Sequence, residues 1–237
     1  MGRSRRRKKA QQPARQAASG EGPAQQGLYD PRFEHDACGT GFVAHVKGRR
    51  SHSIVADALT VLDNLSHRGA RGAEPNTGDG AGILTQLPHA FFATEAARLG
   101  FVLPPPGDYG VGMLFLPRDA ARRAACEAEF AALVRAEGQT LLGWRDVPTD
   151  NRELGATAVA SEPVMRQVFI GRGPELAEPA DGLAFERKLF VIRRLAETHI
   201  AGDRDGADVF YIASLSCPTI VYKGMLLAEQ LRPYFPD

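Results

Sequence analysis

The chain is 237 residues long, 43% hydrophobic and 24% charged, a composition that supports a sizeable core and is unlike that of a disordered protein. No run approaches the roughly 18–20 apolar residues that cross a bilayer. Its three cysteines, Cys38, Cys126 and Cys217, lie about ninety residues apart, which excludes a disulfide-rich scaffold or a CxxC motif and points to a reducing, cytoplasmic setting.

The formal net charge of +1 hides an asymmetry: residues 1–37 carry eight Lys/Arg against four Asp/Glu, leaving the remainder net acidic. Six of those cations are packed into Arg3-Ser4-Arg5-Arg6-Arg7-Lys8-Lys9, and no Val, Ile, Leu, Phe, Tyr or Trp precedes Leu28. Such a segment cannot bury enough apolar surface to offset its ordering entropy, so residues 1–37 read as a disordered basic leader. A secretory signal needs an apolar stretch behind its cations, and Ala10-Gln11-Gln12-Pro13-Ala14 does not supply one. The cluster would attract phosphate as any polycation does. A solvated tail or a mis-called start codon is the blander account, and neither nucleic acid nor membrane is expected as a partner.

From Cys38 onward, strand-like and helix-like segments succeed one another. Gly39 to Val46 alternates apolar with small or polar residues and predicts a strand. Ser51 to Leu65 sets Ile54, Ala58, Val61, Leu62 and Leu65 on one helical face, with Ser51 or Ser53 as N-cap and Gly69 as the stop. A glycine-rich loop over 71–80 leads into a strand at Ala81 to Leu87, and Pro88 opens a helix that ends at Gly100. A strand follows at Tyr109 to Leu116, and Arg118 to Glu137 is a helix stopped by Gly138. Strands are expected at Thr140 to Val147 and Met165 to Ile170. Phe185 to His199 combines a strand-like start with a helical remainder. Asp208 to Leu215 and Thr219 to Lys223 predict two strands around a Cys-Pro corner, and Met225 to Tyr234 begins a helix. Short links between several strands do not suit parallel crossovers, so the layered α+β class is preferred to a doubly wound sheet.

Three places could carry chemistry. Cys38, in His35-Asp36-Ala37-Cys38-Gly39, lies where the leader meets the first strand. If the chain were cut before it, its α-amine, with a reference pKa of roughly 7.7–8, would serve as base for its own thiol, uniting nucleophile and base in one residue. The alternative is an ordinary buried cysteine. A metal site on His35 and Cys38 lacks further ligands at usual spacing, so none is expected. Arg68, in Ser66-His67-Arg68-Gly69, either complements a helix C-terminus or turns inward to fix backbone or a carboxylate near the nucleophile. The loop Thr77-Gly78-Asp79-Gly80 precedes a strand, whereas phosphate-binding glycine loops follow one, so a tight turn is expected there rather than a nucleotide site. Cys126 and Cys217 read as packing residues.

Leu28-Tyr29-Asp30-Pro31, His35-Asp36-Ala37-Cys38-Gly39, His67-Arg68-Gly69-Ala70, Thr77 to Leu84, Phe185 to Leu189 and Thr219 to Met225 occur in an order and spacing that resemble the amino-terminal glutaminase domain of glutamate synthase large subunits. That domain is a class II glutamine amidotransferase of the N-terminal nucleophile hydrolase fold. The resemblance implies a four-layer αββα sandwich, a propeptide ending at Ala37, Cys38 as the catalytic nucleophile attacking the amide of glutamine, and Arg68 as a supporting residue. It implies no cofactor in this segment, and FMN, an iron–sulfur cluster and NADPH or ferredoxin in the complete enzyme. The partners it implies are the rest of the large subunit and a small subunit.

The family's oxyanion donors come from an Asn-Gly pair, and this sequence contains none. That pair and the arginine loop gripping the substrate are expected beyond Asp237, so substrate-binding residues are not assigned. Pro218 also stands where a polar residue is usual in the family. On this reading the segment 38–237 is the amino-terminal, incomplete part of the domain, the alternative being a catalytically inactive fragment with a structural or interaction role.

Overall fold

A computed structural model of the chain describes residues 39–176, 183–200 and 210–237. Helix α1 spans His52–Asn64, capped by Ser51, whose Oγ accepts the Ser53 amide at 3.1 Å. Strand β1 (Ala81–Gln86) and helix α2 (His89–Arg98) follow, then β2 (Tyr109–Leu116) and α3 (Ala120–Ala136). The α3 helix stops at Gly138, which takes the φ of +72° that a side chain would resist. Next come β3 (Thr140–Asp146), a short helix α4 (Ala156–Ser161), β4 (Val164–Gly171), α5 (Ala184–His199), β5 (Tyr211–Ser216), β6 (Thr219–Gly224) and α6 (Leu231–Tyr234).

Among the described residues all strand pairs are antiparallel, and the sheets are a four-stranded one in the order β3-β4-β2-β5 and a two-stranded one of β1 and β6. The class is therefore α+β. Strands β5 and β6 belong to different sheets and are joined only by Cys217 and Pro218. The Pro218 carbonyl accepts the Leu87 amide at 2.9 Å and so extends the β1–β6 ladder.

Two cores lie on opposite faces of the larger sheet. On one, Val111, Met113 and Phe169 pack with Ile220 of β6 and Phe92 of α2. On the other, Leu114, Val168 and Ile170 pack against Phe130 and Val134 of α3 and Phe185, Leu189 and Ile192 of α5. Each such side chain contributes roughly 1.5–3 kcal/mol on burial. The order of layers is thus helices, four-stranded sheet, then the small sheet with α2 beside it.

Three expectations need correction. Residues 39–46 form no strand, and Phe42 there is 91% exposed; alternation makes a strand only where another strand supplies the ladder, and no described strand pairs with this segment. The segment Phe185 to His199 is helical throughout, because Phe185, Leu189, Ile192 and Ala196 form one buried stripe at helical spacing. The final stretch is a 3-10 turn, Ala228–Gln230, followed by a single helical turn that ends at Tyr234.

Candidate active site

The end of α1, the loop after it and the segment after β6 enclose a cleft of about 120 Å³. Helix α1 gives way to a 3-10 turn, Ser66–Arg68, in which the Arg68 amide donates to the Leu65 carbonyl at 2.8 Å. His67 lies 3.0 Å through Nδ1 from the Asn64 carbonyl; a carbonyl can only accept, so Nδ1 carries the proton and satisfies one of the helix's terminal oxygens. Gly39 lies along this turn. A Cβ on it would stand 3.1 Å from Arg68 Cβ and 3.3 Å from Leu65 Cβ. The residue that follows Cys38 in the chain is therefore packed against the stem of Arg68 at the cleft wall. Cys38 and His35 lie outside the described residues. Among the described residues, the Arg68 guanidinium has no ion-pair or hydrogen-bond partner, and it lines the cleft together with Asp79.

The glycine-rich loop is a closed turn. Gly72 donates to the Thr77 carbonyl at 2.8 Å, Thr77 to Glu74 at 3.3 Å and Asp79 to Ala70 at 3.1 Å. These three amides are paired with carbonyls of the loop and its immediate flank, as a tight turn requires. Gly78 is required by contact: a Cβ there would sit 2.4 Å from the Leu226 carbonyl oxygen. The loop is thereby pressed onto the opposite wall of the cleft, residues 226–229.

Two side-chain ties span those walls. Arg71 pairs with Glu229 at 3.0 Å, but the two side chains are 56% and 52% exposed, so the pair contributes roughly 0–1 kcal/mol. Gln230 is buried. Its Oε1 accepts the Leu227 amide at 2.8 Å, and its Nε2 donates to the Asn76 carbonyl at 3.0 Å and the Glu153 carbonyl at 2.8 Å. Each group left unpaired there would cost roughly 1–3 kcal/mol, so the buried amide outweighs the exposed ion pair. Glu74 fixes the outer side of the loop. Its carboxylate accepts the Thr157 amide at 3.1 Å, the Thr157 hydroxyl at 2.9 Å and the Thr77 hydroxyl at 2.9 Å. The Thr157 amide, then the two hydroxyls, hold its pKa below the ordinary carboxylate value.

The other two cysteines are poor nucleophiles. Burial, then the Glu186 carboxylate, pushes the Cys217 thiol up to about 12, and burial raises Cys126 within α3. Among the described residues, no three His, Cys, Asp or Glu side chains gather as a metal site, and no helix is long and apolar enough to cross a membrane.

A family model for class-II glutamine amidotransferases matches residues 38–237. The chain belongs to this family. Within the curated proteins, this amidotransferase is 49% identical over 215 residues to the glutamate synthase [NADPH] large chain of Bacillus subtilis, covering 91% of this chain and 14% of that one. It is 40% identical over 217 residues to the glutamate synthase [NADH] of Schizosaccharomyces pombe, covering 91% of this chain and 10% of the relative. It is 38% identical over 210 residues to the chloroplastic ferredoxin-dependent glutamate synthase 2 of Arabidopsis thaliana, covering 89% and 13%. The resemblance to glutamate synthases read from the sequence is therefore shown, and the chain spans at most 14% of the length of these relatives.

The segments quoted for that resemblance do not all meet. Arg68-Gly69, Asp79 to Ala81 and the residues just after β6 converge on the cleft. Phe185 and Leu189 instead fill the helical core, and Glu186 accepts the Cys217 amide at 2.8 Å. Glu74, Asp79, Thr157, Glu229 and Gln230 received no role in the sequence reading. Their one local signal is polarity, which does not name a partner.

Proposed function

We propose that this chain is the glutaminase region of a glutamate synthase, with Cys38 as the mature amino-terminal nucleophile and Arg68 as its supporting residue. Residues 1–37 are a propeptide whose removal frees the Cys38 α-amine. That amine takes the Sγ proton, and the thiolate attacks the side-chain amide carbon of glutamine. The proton is handed to the departing nitrogen, so that ammonia leaves and a γ-glutamyl thioester remains. Water then attacks the thioester, the amine accepts its proton, and glutamate and the free thiol are released. An amine with a reference pKa of roughly 7.7–8 suits both transfers near neutral pH.

The observation that carries this reading is that the family match starts at Cys38 and that the residue after it, Gly39, packs against Arg68 at the cleft. The high pKa values of Cys126 and Cys217 support it further. In the complete enzyme the ammonia meets 2-oxoglutarate and the product is reduced to glutamate in the cytoplasm. FMN, an iron–sulfur cluster and NADPH or ferredoxin belong to that part, together with a small subunit.

Intact-mass measurement of the purified protein is expected to show a species beginning at Cys38. Cys38→Ala should abolish glutamine hydrolysis, and Cys126→Ala should leave it unchanged. Glutamine turnover that survives loss of the Cys38 sulfur would end this reading.

A further inference from the structure

The cleft is made of irregular backbone, and a wall of turns keeps a fixed shape only if something outside it holds it. Gln230 does not line the cleft, yet it touches three chain segments that determine it: the Leu227 amide on one wall, the Asn76 carbonyl beside the glycine-rich loop on the other, and the Glu153 carbonyl that leads into α4. Every polar atom of its amide is used, and donor and acceptor are matched in the only orientation that works. Two carbonyls need the NH2 and one backbone N–H needs the oxygen. Glu74 holds the same loop from the far side through Thr77 and Thr157. The fit there is close: a Cβ at Gly155 would come within 2.1 Å of Thr77 Oγ1 and 2.4 Å of Glu74 Oε2.

We propose that Gln230 and Glu74 are positioning residues that clamp the Glu74–Gly80 loop against residues 226–229 and so fix the width of the cleft between Arg68, Asp79 and Glu229 for a glutamine-shaped ligand. Gln230 is the dominant clamp because it is buried, whereas the parallel Arg71–Glu229 tie is exposed and screened. The inference rests on the reading of Cys38 as the nucleophile. It predicts a loss of shape recognition without a loss of thiol chemistry.

The test compares two electrophiles on the same sulfur, a chloromethyl ketone built on the glutamine skeleton and iodoacetamide, with Cys38 alkylation followed by peptide mass. In the parent protein the glutamine-shaped reagent should react with Cys38 much faster than iodoacetamide. Gln230→Met keeps the volume and removes all three hydrogen bonds; it should slow the glutamine-shaped reagent at least tenfold while changing the iodoacetamide rate less than twofold. Glu74→Ala should act in the same direction and more weakly, and Glu74→Gln, which keeps an oxygen for Thr157, should restore most of the rate. Glu74→Ala also decides the matter if Gln230→Met does not fold. Unchanged selectivity in the folded variants, or a parallel fall of both rates, would overturn the clamp while leaving Cys38 as nucleophile. A parent protein alkylated at Cys38 with no preference for the glutamine-shaped reagent would overturn the clamp alone, and one whose Cys38 reacts with neither reagent would overturn the reading of Cys38 as nucleophile as well.

Discussion

Glu74 is a carboxylate whose charge is held by neutral donors: the Thr157 amide first, then the hydroxyls of Thr157 and Thr77. No cation is needed, because two hydroxyls and an amide stabilise the ionised form over the protonated one. Its folded pKa is depressed, so the stabilisation is complete above the unfolded value of roughly 4.3 and is lost as pH falls through the lower folded value. Glu74→Gln should therefore flatten the acid limb of the stability curve. Thermal midpoints of parent and variant measured from pH 7 to pH 3 should converge toward the acid end; a constant gap across that range would rule the linkage out. At this scale the sequence marks only residues whose context is local. Arg68 stands out beside a helix end, and Cys38 beside a change in composition. Glu74 and Gln230 do not, because their partners lie 83 residues away at Thr157 and 154 residues away at Asn76. A glutamine preceding a leucine carries no mark of the carbonyls it will meet.

Elements were legible in proportion to how much of their cause is local. Helix α3 is announced by its alanine-rich body and Gly138. The structure seats Asp119 as the N-cap, its Oδ1 accepting the Arg122 amide at 2.8 Å. Asp119→Ala removes that bond and the favourable negative charge at the helix start, and should cost about 1 kcal/mol. Urea unfolding would read this as a lower midpoint at unchanged slope, and a loss below a few tenths of a kcal/mol would show the cap to be idle. Within helix α5, Leu189-Phe190-Val191-Ile192 is a continuous apolar run, a pattern that by itself suits a strand as well as a helix. In the fold, Leu189 and Ile192 are buried while Phe190 and Val191 are 60% and 41% exposed, so the period is helical once the interior face is known. Helix α4 escaped notice for another reason: six residues are too few for a periodic signal, and its first-turn amide is satisfied by Glu74 from a distant loop. Residues 39–46 show the converse, a strand-like pattern with no ladder to join.

At the scale of the whole molecule, β2 and β4 are buried on both faces, and their residues do not say which layer covers each. Hydrophobic packing is non-directional, and the arrangement of layers is fixed partly by a buried charge. Arg145 of β3 has a side chain only 4% exposed. Its Nε donates to Glu95 of α2 at 2.8 Å and its Nη1 to the Gln167 oxygen of β4 at 3.1 Å. It also meets the Asp237 carboxylate, and it lies over the Phe91 ring. Gln167 then donates to the Tyr222 hydroxyl of β6 at 2.8 Å, which links the two sheets through polar atoms. The Arg145 hydrogen bond holds the Glu95 pKa below its usual value. Arg145→Met should be costly, up to roughly 3–5 kcal/mol, because it leaves the Gln167 oxygen unpaired and leaves Glu95 only the exposed Arg98, 3.0 Å away. Pairing it with Glu95→Leu removes the carboxylate, so the double variant should recover at least about 1 kcal/mol relative to the sum of the single losses. Urea unfolding of the four proteins in the cycle measures this directly. Strict additivity would mean that α2 is held on the sheet by Phe92 and its apolar neighbours alone, with the ion pair a passenger in the core.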